Sequence, residues 1–412
     1  MVLFALVLAG KALSQPRVLQ HEAHLASWIL NSGNDSVVVC TAFSIPFDKL
    51  IFIRTADTSS AFSADLSFSI DATDSATGMN FHGFTAKQIT VSGFAATQSG
   101  TDYAQDFITL TLPRSIFHIR AELSDEGQKI TYLNAVFRKN FTATDSSGIL
   151  SVMFLDSLSE GKYYPVMRNI VASFPAPIRF VVLLSNPSAH APVFSLLRKD
   201  GSKIEGPDST KILSGRPQPV AAAGGLYFIQ APDSSKDLAV GQIKIDTLGE
   251  GFYKLRVEAG AHSRTFSFHY SWINKPLTLR NLDMALSLLK YIVPDSLYSE
   301  INSGNEKEKR DKLDAFWKSH DPTPGTAYNQ LEAEYYERAD YAYTEFRTLG
   351  NQNGAATDRG KAYILYGKPQ SIKREFRSDG TYEIWKYPHL KTMLIFKERG
   401  FGEFVLYQTE KL

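Results

Sequence analysis

Up to about residue 272 the apolar positions come in short runs, and Gly, Asp, Ser and Pro break them apart. Val37 to Ile45, Lys49 to Ala56, Ala64 to Asp71, Phe107 to Leu112, Phe117 to Leu123 and Ile130 to Phe137 are rich in Val, Ile, Phe and Thr, which predicts strands. In 64–70, Leu66, Phe68 and Ile70 alternate with Asp65, Ser67 and Ser69, the pattern of a half-exposed antiparallel strand. Asp125-Glu126-Gly127 supplies a hairpin turn. The same texture continues in Gly148 to Leu155, Ile178 to Ser185, Val193 to Arg198, Gly224 to Gln230, Val240 to Ile245, Gly251 to Ala259 and Ser263 to His269. Phe252, Lys254, Arg256 and Glu258 alternate there with Tyr253, Leu255, Val257 and Ala259. Strands at this spacing predict two β-sandwiches of immunoglobulin type, over 15–142 and 143–275, joined at a Thr/Asp/Ser-rich linker near 142–147.

At Pro276 the period lengthens. Leu279, Leu282, Leu286, Leu289 and Ile292 recur at helical spacing, and Pro294 ends or kinks that helix. The charged run 304–314 carries Leu313, Phe316 and Trp317 on an apolar edge. A rigid Asp321-Pro322-Thr323-Pro324-Gly325 break follows, and Thr326 is placed to cap the next helix. Tyr328, Leu331, Tyr335, Ala339, Ala342, Phe346 and Leu349 form its stripe, with Glu334 and Arg338 paired i,i+4 on the flank. Gly350 and Gly354 stop it. The end of the chain returns to β: Ala362 to Tyr366, Thr381 to Tyr387, Thr392 to Lys397 and Glu403 to Tyr407 predict a four-stranded antiparallel meander, covered by the preceding helix. The fold class is mainly β with an α segment, the helices and the meander forming an α+β domain over 276–412.

Composition narrows function mainly by exclusion. A net charge of +1 in 412 residues, with no basic cluster, gives no footprint for nucleic acid. No later apolar run is long enough to span a bilayer. Residues 1–14 read as a signal peptide: Val2 to Ala9 is apolar, and Ala12-Leu13-Ser14 sets cleavage before Gln15. The basic n-region such a peptide carries would lie upstream of Met1. The single cysteine, Cys40, rules out an internal disulfide and a Cys-based zinc site, and reads as a buried thiol.

The densest motif lies at the C-terminal end. Phe316-Trp317, Asp321 to Thr326, Asn329, Glu332, Arg338, Tyr341-Ala342, Phe346, Gly354, Thr357-Asp358-Arg359-Gly360, Tyr363-Ile364, Tyr366-Gly367-Lys368-Pro369 and Glu383-Ile384-Trp385 follow one another over about ninety residues. In number and order these features resemble the GWxTD-domain family of exported bacterial proteins. The resemblance implies a signal peptide, β-rich N-terminal domains and a periplasmic or outer-envelope location. It implies no chemistry. The chain departs from the family at Ala355, where the defining Trp would stand.

No HExxH, GxSxG, Walker or GxGxxG signature is present. His21 and His24 lack a third metal ligand, so no metal or cofactor is expected. His320-Asp321 reads as a base with its orienter or as a helix terminus. Asp358 reads as a cap on corner amides or as a ligand contact, Arg359 as the partner of an acid, and Gly360 as a backbone angle other residues avoid. Trp385 and Tyr387 share a strand face, either core or an aromatic strip. Asp321, Arg338, Thr357, Asp358, Arg359, Gly360, Tyr366, Gly367, Pro369, Trp385 and Tyr387 are thus the candidate interaction or structural-motif residues. The function expected is a non-enzymatic envelope protein that docks other envelope proteins. The alternative is a glycan-binding module or hydrolase with a cleft between helices and meander.

Overall fold

The computed structural model describes residues 23–55, 60–142, 148–167, 172–185, 192–204, 209–222, 225–233, 237–272 and 274–412. The expected signal peptide, His21 and the linker at 143–147 lie outside them. The described residues fall into two compact units. One runs through Ile245 and includes Glu250–Ser271; the other holds Asp246–Gly249 and Trp272–Leu412.

The first unit is antiparallel β almost throughout. Its first strands are β1 (His24–Ser32), β2 (Ser36–Pro46), β3 (Ile53–Arg54), β4 (Ala61–Asp74) and β5 (Asn80–Ser92). A short helix α1 (Phe94–Thr97) precedes β6 (Tyr103–Pro113), β7 (Ile116–Asp125) and β8 (Ile130–Asn140). The sheet β1-β2-β6 packs against the sheet built on β4, β5, β7 and β8. Phe43, Phe68 and Phe117, each at most 1% exposed, sit in that core. Alternation in β4 is as read: Leu66, Phe68 and Ile70 are buried and Asp65 is exposed. The strand expected over Lys49 to Ala56 is corrected: Phe47–Lys49 is a 3-10 turn, and only Ile53–Arg54 pairs. That stretch has the right composition but an exposed Ile53 and, among the described residues, no second neighbour to extend it.

Eleven further strands follow: β9 (Ile149–Ser159), β10 (Lys162–Pro165), β11 (Ala172–Ser173), β12 (Ile178–Leu184), β13 (Val193–Arg198), β14 (Ser209–Ser214), β15 (Arg216–Ala222), β16 (Gly225–Ala231), β17 (Asp237–Ile243), β18 (Gly251–Ala259) and β19 (His262–Ser271). They build a seven-stranded sheet β14-β17-β12-β9-β10-β16-β15 and a four-stranded sheet β11-β19-β18-β13. Phe154 meets Phe268 at 4.9 Å and Phe180 meets Phe194 at 5.3 Å across the two sheets. The other face of the seven-stranded sheet receives β1 and β2: Trp28, Leu30, Cys40 and Ala42 pack on Leu150, Met153, Leu183 and Phe228. Cys40 is fully buried there, and burial pushes its thiol up to about 12.

The second unit has six helices: α2 (Leu277–Arg280), α3 (Leu282–Leu289), α4 (Asp295–Ile301), α5 (Glu306–Ser319), α6 (Gln330–Glu345) and α7 (Asp358–Tyr366). Four strands close it: β20 (Ser371–Arg377), β21 (Gly380–Tyr387), β22 (Thr392–Gly400) and β23 (Glu403–Lys411), antiparallel in that order. Pro294 caps the start of α4 rather than kinking α3. The cap of α6 is Asn329, not Thr326: its Oδ1 accepts from the Glu332 amide at 3.1 Å while its Nδ2 donates to Trp317 O at 2.7 Å. The Thr326 hydroxyl donates within its own turn, to Thr323 O at 3.0 Å or Tyr328 O at 2.9 Å. Of the expected α6 stripe, Tyr335, Ala339, Ala342 and Phe346 are buried, whereas Leu331 and Leu349 are 44% and 81% exposed.

The meander has four strands as expected, but its first member is corrected. Ala362 to Tyr366 is part of α7, and the edge strand is β20. Gly360, Ala362 and Ile364 are buried with Tyr363 and Leu365 half-buried between them. A short helix packed along α6 on one side and β23 on another thus imitates the period-two burial of a strand.

Candidate functional site

The Thr357-Asp358-Arg359-Gly360 motif opens α7. Thr357 is the N-cap: its Oγ1 accepts from the Gly360 amide at 3.1 Å and donates to Gly354 O at 2.8 Å. Asp358 does not cap the corner. Its Oδ2 accepts from the Leu406 amide at 2.8 Å, a long-range tie to β23. The register of β22 and β23 shifts between Ile395 and Phe396, opposite Leu406 to Gln408, which leaves strand amides there for a side-chain acceptor. Gly360 has no unusual backbone angle; it is needed for closeness. A Cβ there would lie 1.9 Å from Gly354 O, and a Cβ on Gly354 would lie 2.3 Å from Ala342 O. The two glycines let the end of α6, the Gly354–Ala356 turn and the start of α7 stack backbone on backbone.

Arg359 reaches into a buried ionic knot. Its Nη1 lies 3.4 Å from Oε1 of Glu383, and its Nη2 donates to Gly402 O at 3.2 Å. Glu383, on β21 and 4% exposed, accepts as well from Arg374 Nη2 at 2.9 Å and from Trp385 Nε1 at 2.8 Å. Burial pushes the Glu383 carboxyl up, but the hydrogen bonds from Arg374 and Trp385 and the Arg359 charge outweigh it and hold the group below the usual carboxylate value. Phe404 lies 4.4 Å and Phe346 5.5 Å from the Arg359 guanidinium carbon. Glu383 therefore gathers helix α7 and strands β20 and β21 on one carboxylate, and Arg359 carries the link on to the β22–β23 turn. Sequence reading quoted Glu383 within the motif but did not single it out; the signal was an Arg359 that needed an acidic partner.

Trp385 and Tyr387 are fully buried, so they are core and not an exposed strip. Trp385 packs on Phe346 at 5.5 Å and on Phe396 at 5.0 Å. Tyr387 donates to Gly367 O at 3.1 Å, just past the end of α7. Gly367 ends this helix with φ of +75°, a backbone angle that favours glycine. Arg338 ion-pairs with Glu334 and lies over that same terminus, with Nη1 3.5 Å from Ile364 O. Tyr366 is partly exposed and meets Tyr387 at 5.7 Å, and Pro369 is buried after the cap. Asp321 lies apart from this group: its Oδ1 accepts from the Thr323 amide at 2.8 Å. His320 Nδ1 lies 2.8 Å from Phe316 O, so its ring is engaged with the helix terminus. Ala355 is buried, and the Tyr291 hydroxyl donates to its carbonyl at 3.1 Å.

On this unit the motif residues Thr357 to Gly360, Gly367, Trp385 and Tyr387 converge, while Asp321 does not. Among the described residues no group of three or more His, Cys, Asp and Glu is arranged to hold a metal. No described helix is long and apolar enough to cross a membrane.

The model of the GWxTD domain matches residues 251–399. No curated protein matches this chain. Among solved structures, the C-terminal domain of the Streptococcus agalactiae AgI/II polypeptide BspA is similar at 10% identity, covering 60% of this chain and 99% of that one, with a TM-score of 0.16.

Proposed function

The chain carries a GWxTD domain over residues 251–399, and from that premise we propose that it is an exported cell-envelope protein whose C-terminal domain docks another envelope protein by strand addition at β20. The observation that carries the reading is the state of that edge. Six of the seven residues of β20 are exposed and Glu375 is half-buried; β21 lies on one side, and the other is the end of the sheet. Ile372 and Phe376 are 57% and 83% exposed on a strand whose inner neighbour β21 is anchored through Glu383. Strand addition supplies main-chain hydrogen bonds to such an edge, and alternate apolar side chains supply selectivity. The enzyme or glycan alternative calls for titratable groups converging in a cleft. The four that sequence singled out are engaged elsewhere: Asp358 with Leu406, Arg359 with Glu383, Asp321 with Thr323, and His320 with Phe316.

The test is a pulldown from envelope extract with the whole exported protein and its Ile372→Asp/Phe376→Asp variant. Both positions are exposed, so the variant should keep the wild-type melting temperature and lose the partner. A variant that retains the same partner at the same yield refutes docking at β20.

A further inference from the structure

The first unit contains a recessed surface whose residues lie outside the stretch matched by the GWxTD domain. The lower end of the seven-stranded sheet forms a cup of about 560 Å³, lined by Leu155, Leu158, Tyr163, Val240, Arg179 and Lys211, with Thr210, Leu213 and Gln242 beside them. The register shows why it stays open. Ser151, Leu183 and Leu238 form one row across β9, β12 and β17; Met153, Val181 and Val240 form the next; Leu155, Arg179 and Gln242 form the third. Strand β1 lies over the first row, where the Ile29 amide donates to Ser151 Oγ at 2.8 Å. The cup begins at Val240 in the second row and takes in the third.

Its chemistry is divided. The floor is apolar, with Leu155 and Tyr163 both 4% exposed, and Leu158 at the wall is 45% exposed. Above it stand two cations, Arg179 and Lys211, and none of the described residues lining the cup is acidic. Arg179 Nε donates to Gln242 Oε1 at 3.3 Å, which fixes the guanidinium against the sheet and leaves its other nitrogens for a ligand. The volume lies within the roughly 300–1,000 Å³ range of small-molecule sites. We infer that this cup binds one alkyl chain with an anionic head, the chain over Leu155, Tyr163 and Val240 and the head on Arg179 and Lys211.

Titration calorimetry on the whole protein tests this with decanoate and decyl phosphate as probes, below their micelle concentrations. Affinity should fall about fourfold for each methylene removed, as octanoate and hexanoate replace decanoate. Decyltrimethylammonium, with the same chain and the opposite charge, should bind at least tenfold more weakly. Arg179→Gln/Lys211→Gln should weaken decanoate about tenfold, and Leu158→Glu, an acid at an exposed wall position, should do the same. Preference for decyl phosphate assigns the head to a phospholipid-type phosphate, and preference for decanoate to a free fatty carboxylate. If chain length has no effect on the native protein, or the cationic probe binds as tightly as the anions, the inference fails. Those two comparisons need no variant, so a misfolded substitution does not obscure the outcome.

Discussion

Glu383→Gln is the sharpest perturbation of the C-terminal unit. The amide keeps an oxygen for Trp385 Nε1 and almost the same volume, so the change isolates the charge. Breaking a buried ion pair by neutralising one partner costs about 3–5 kcal/mol. Here Arg359, whose side chain is 13% exposed, keeps Gly402 O at 3.2 Å and the Phe404 ring at 4.4 Å. Arg374 is 55% exposed in its side chain and contributes little beyond a surface pair. The expected loss is therefore about 2–4 kcal/mol, straddling the lower end of that range. Urea unfolding of the whole chain, followed by tryptophan fluorescence, reads it, because Trp272, Trp317 and Trp385 report on this unit. The pH dependence has a definite sign. A carboxyl whose folded pKa lies below its ordinary 4.5 stabilises the fold above that pH, and the stabilisation is lost as pH falls through the folded value. Wild type should thus lose stability below about pH 4.5 more steeply than Glu383→Gln. In a double-mutant cycle with Arg359→Met, the coupling should be about 1–3 kcal/mol. Additivity within about 0.5 kcal/mol, or a Glu383→Gln protein as stable as wild type, would refute the claim that this carboxylate ties the domain together.

Other substitutions separate the parts of the motif. Asp358→Ala removes the exposed hydrogen bond to the Leu406 amide and should destabilise by about 0.5–1.5 kcal/mol in the same urea assay; equal stability would contradict that bond. Gly360→Ala places a carbon 1.9 Å from Gly354 O and should cost about 3 kcal/mol or more, whereas without that close approach Ala would be harmless at this helical position. Glu332 is raised to about 7, first by burial and then by Asp314, with Lys275 opposing. A carboxyl with a raised folded pKa loses stability as pH rises from about 4.5 to 7, so Glu332→Gln should melt higher than wild type at pH 8 and alike at pH 4.

Strands buried on one face were legible, because alternation along β4 and β18 follows directly from pleating. Three kinds of element were not. Strand β20, SIKREFR, is exposed on both faces and leaves no periodic trace. Strand β5 alternates mostly between half-buried and exposed positions, with Ile89 alone buried, too shallow a contrast to read. Helix α7 is wrapped on two sides, and its Ala-Tyr-Ile-Leu-Tyr run reads as a strand although Thr357 and Gly367 mark its ends. The same limit governs the site. Thr357 to Gly360 were found as a motif, yet their partners Glu383, Leu406 and Gly402 lie 24 to 48 residues away, a distance only the fold closes. Gly360 drew attention correctly, but the need came from Gly354 O, which no local rule places beside it.

The claim that β20 receives a partner strand is tested most directly by photo-crosslinking in the envelope. A photoreactive residue is placed singly at Ile372, Arg374 and Phe376, and as a control at Met79, an equally solvent-exposed site in the first unit (58% exposed). The account predicts one shared adduct from the β20 positions and none of that size from Met79. No adduct along β20, with the protein correctly exported and folded, would contradict it.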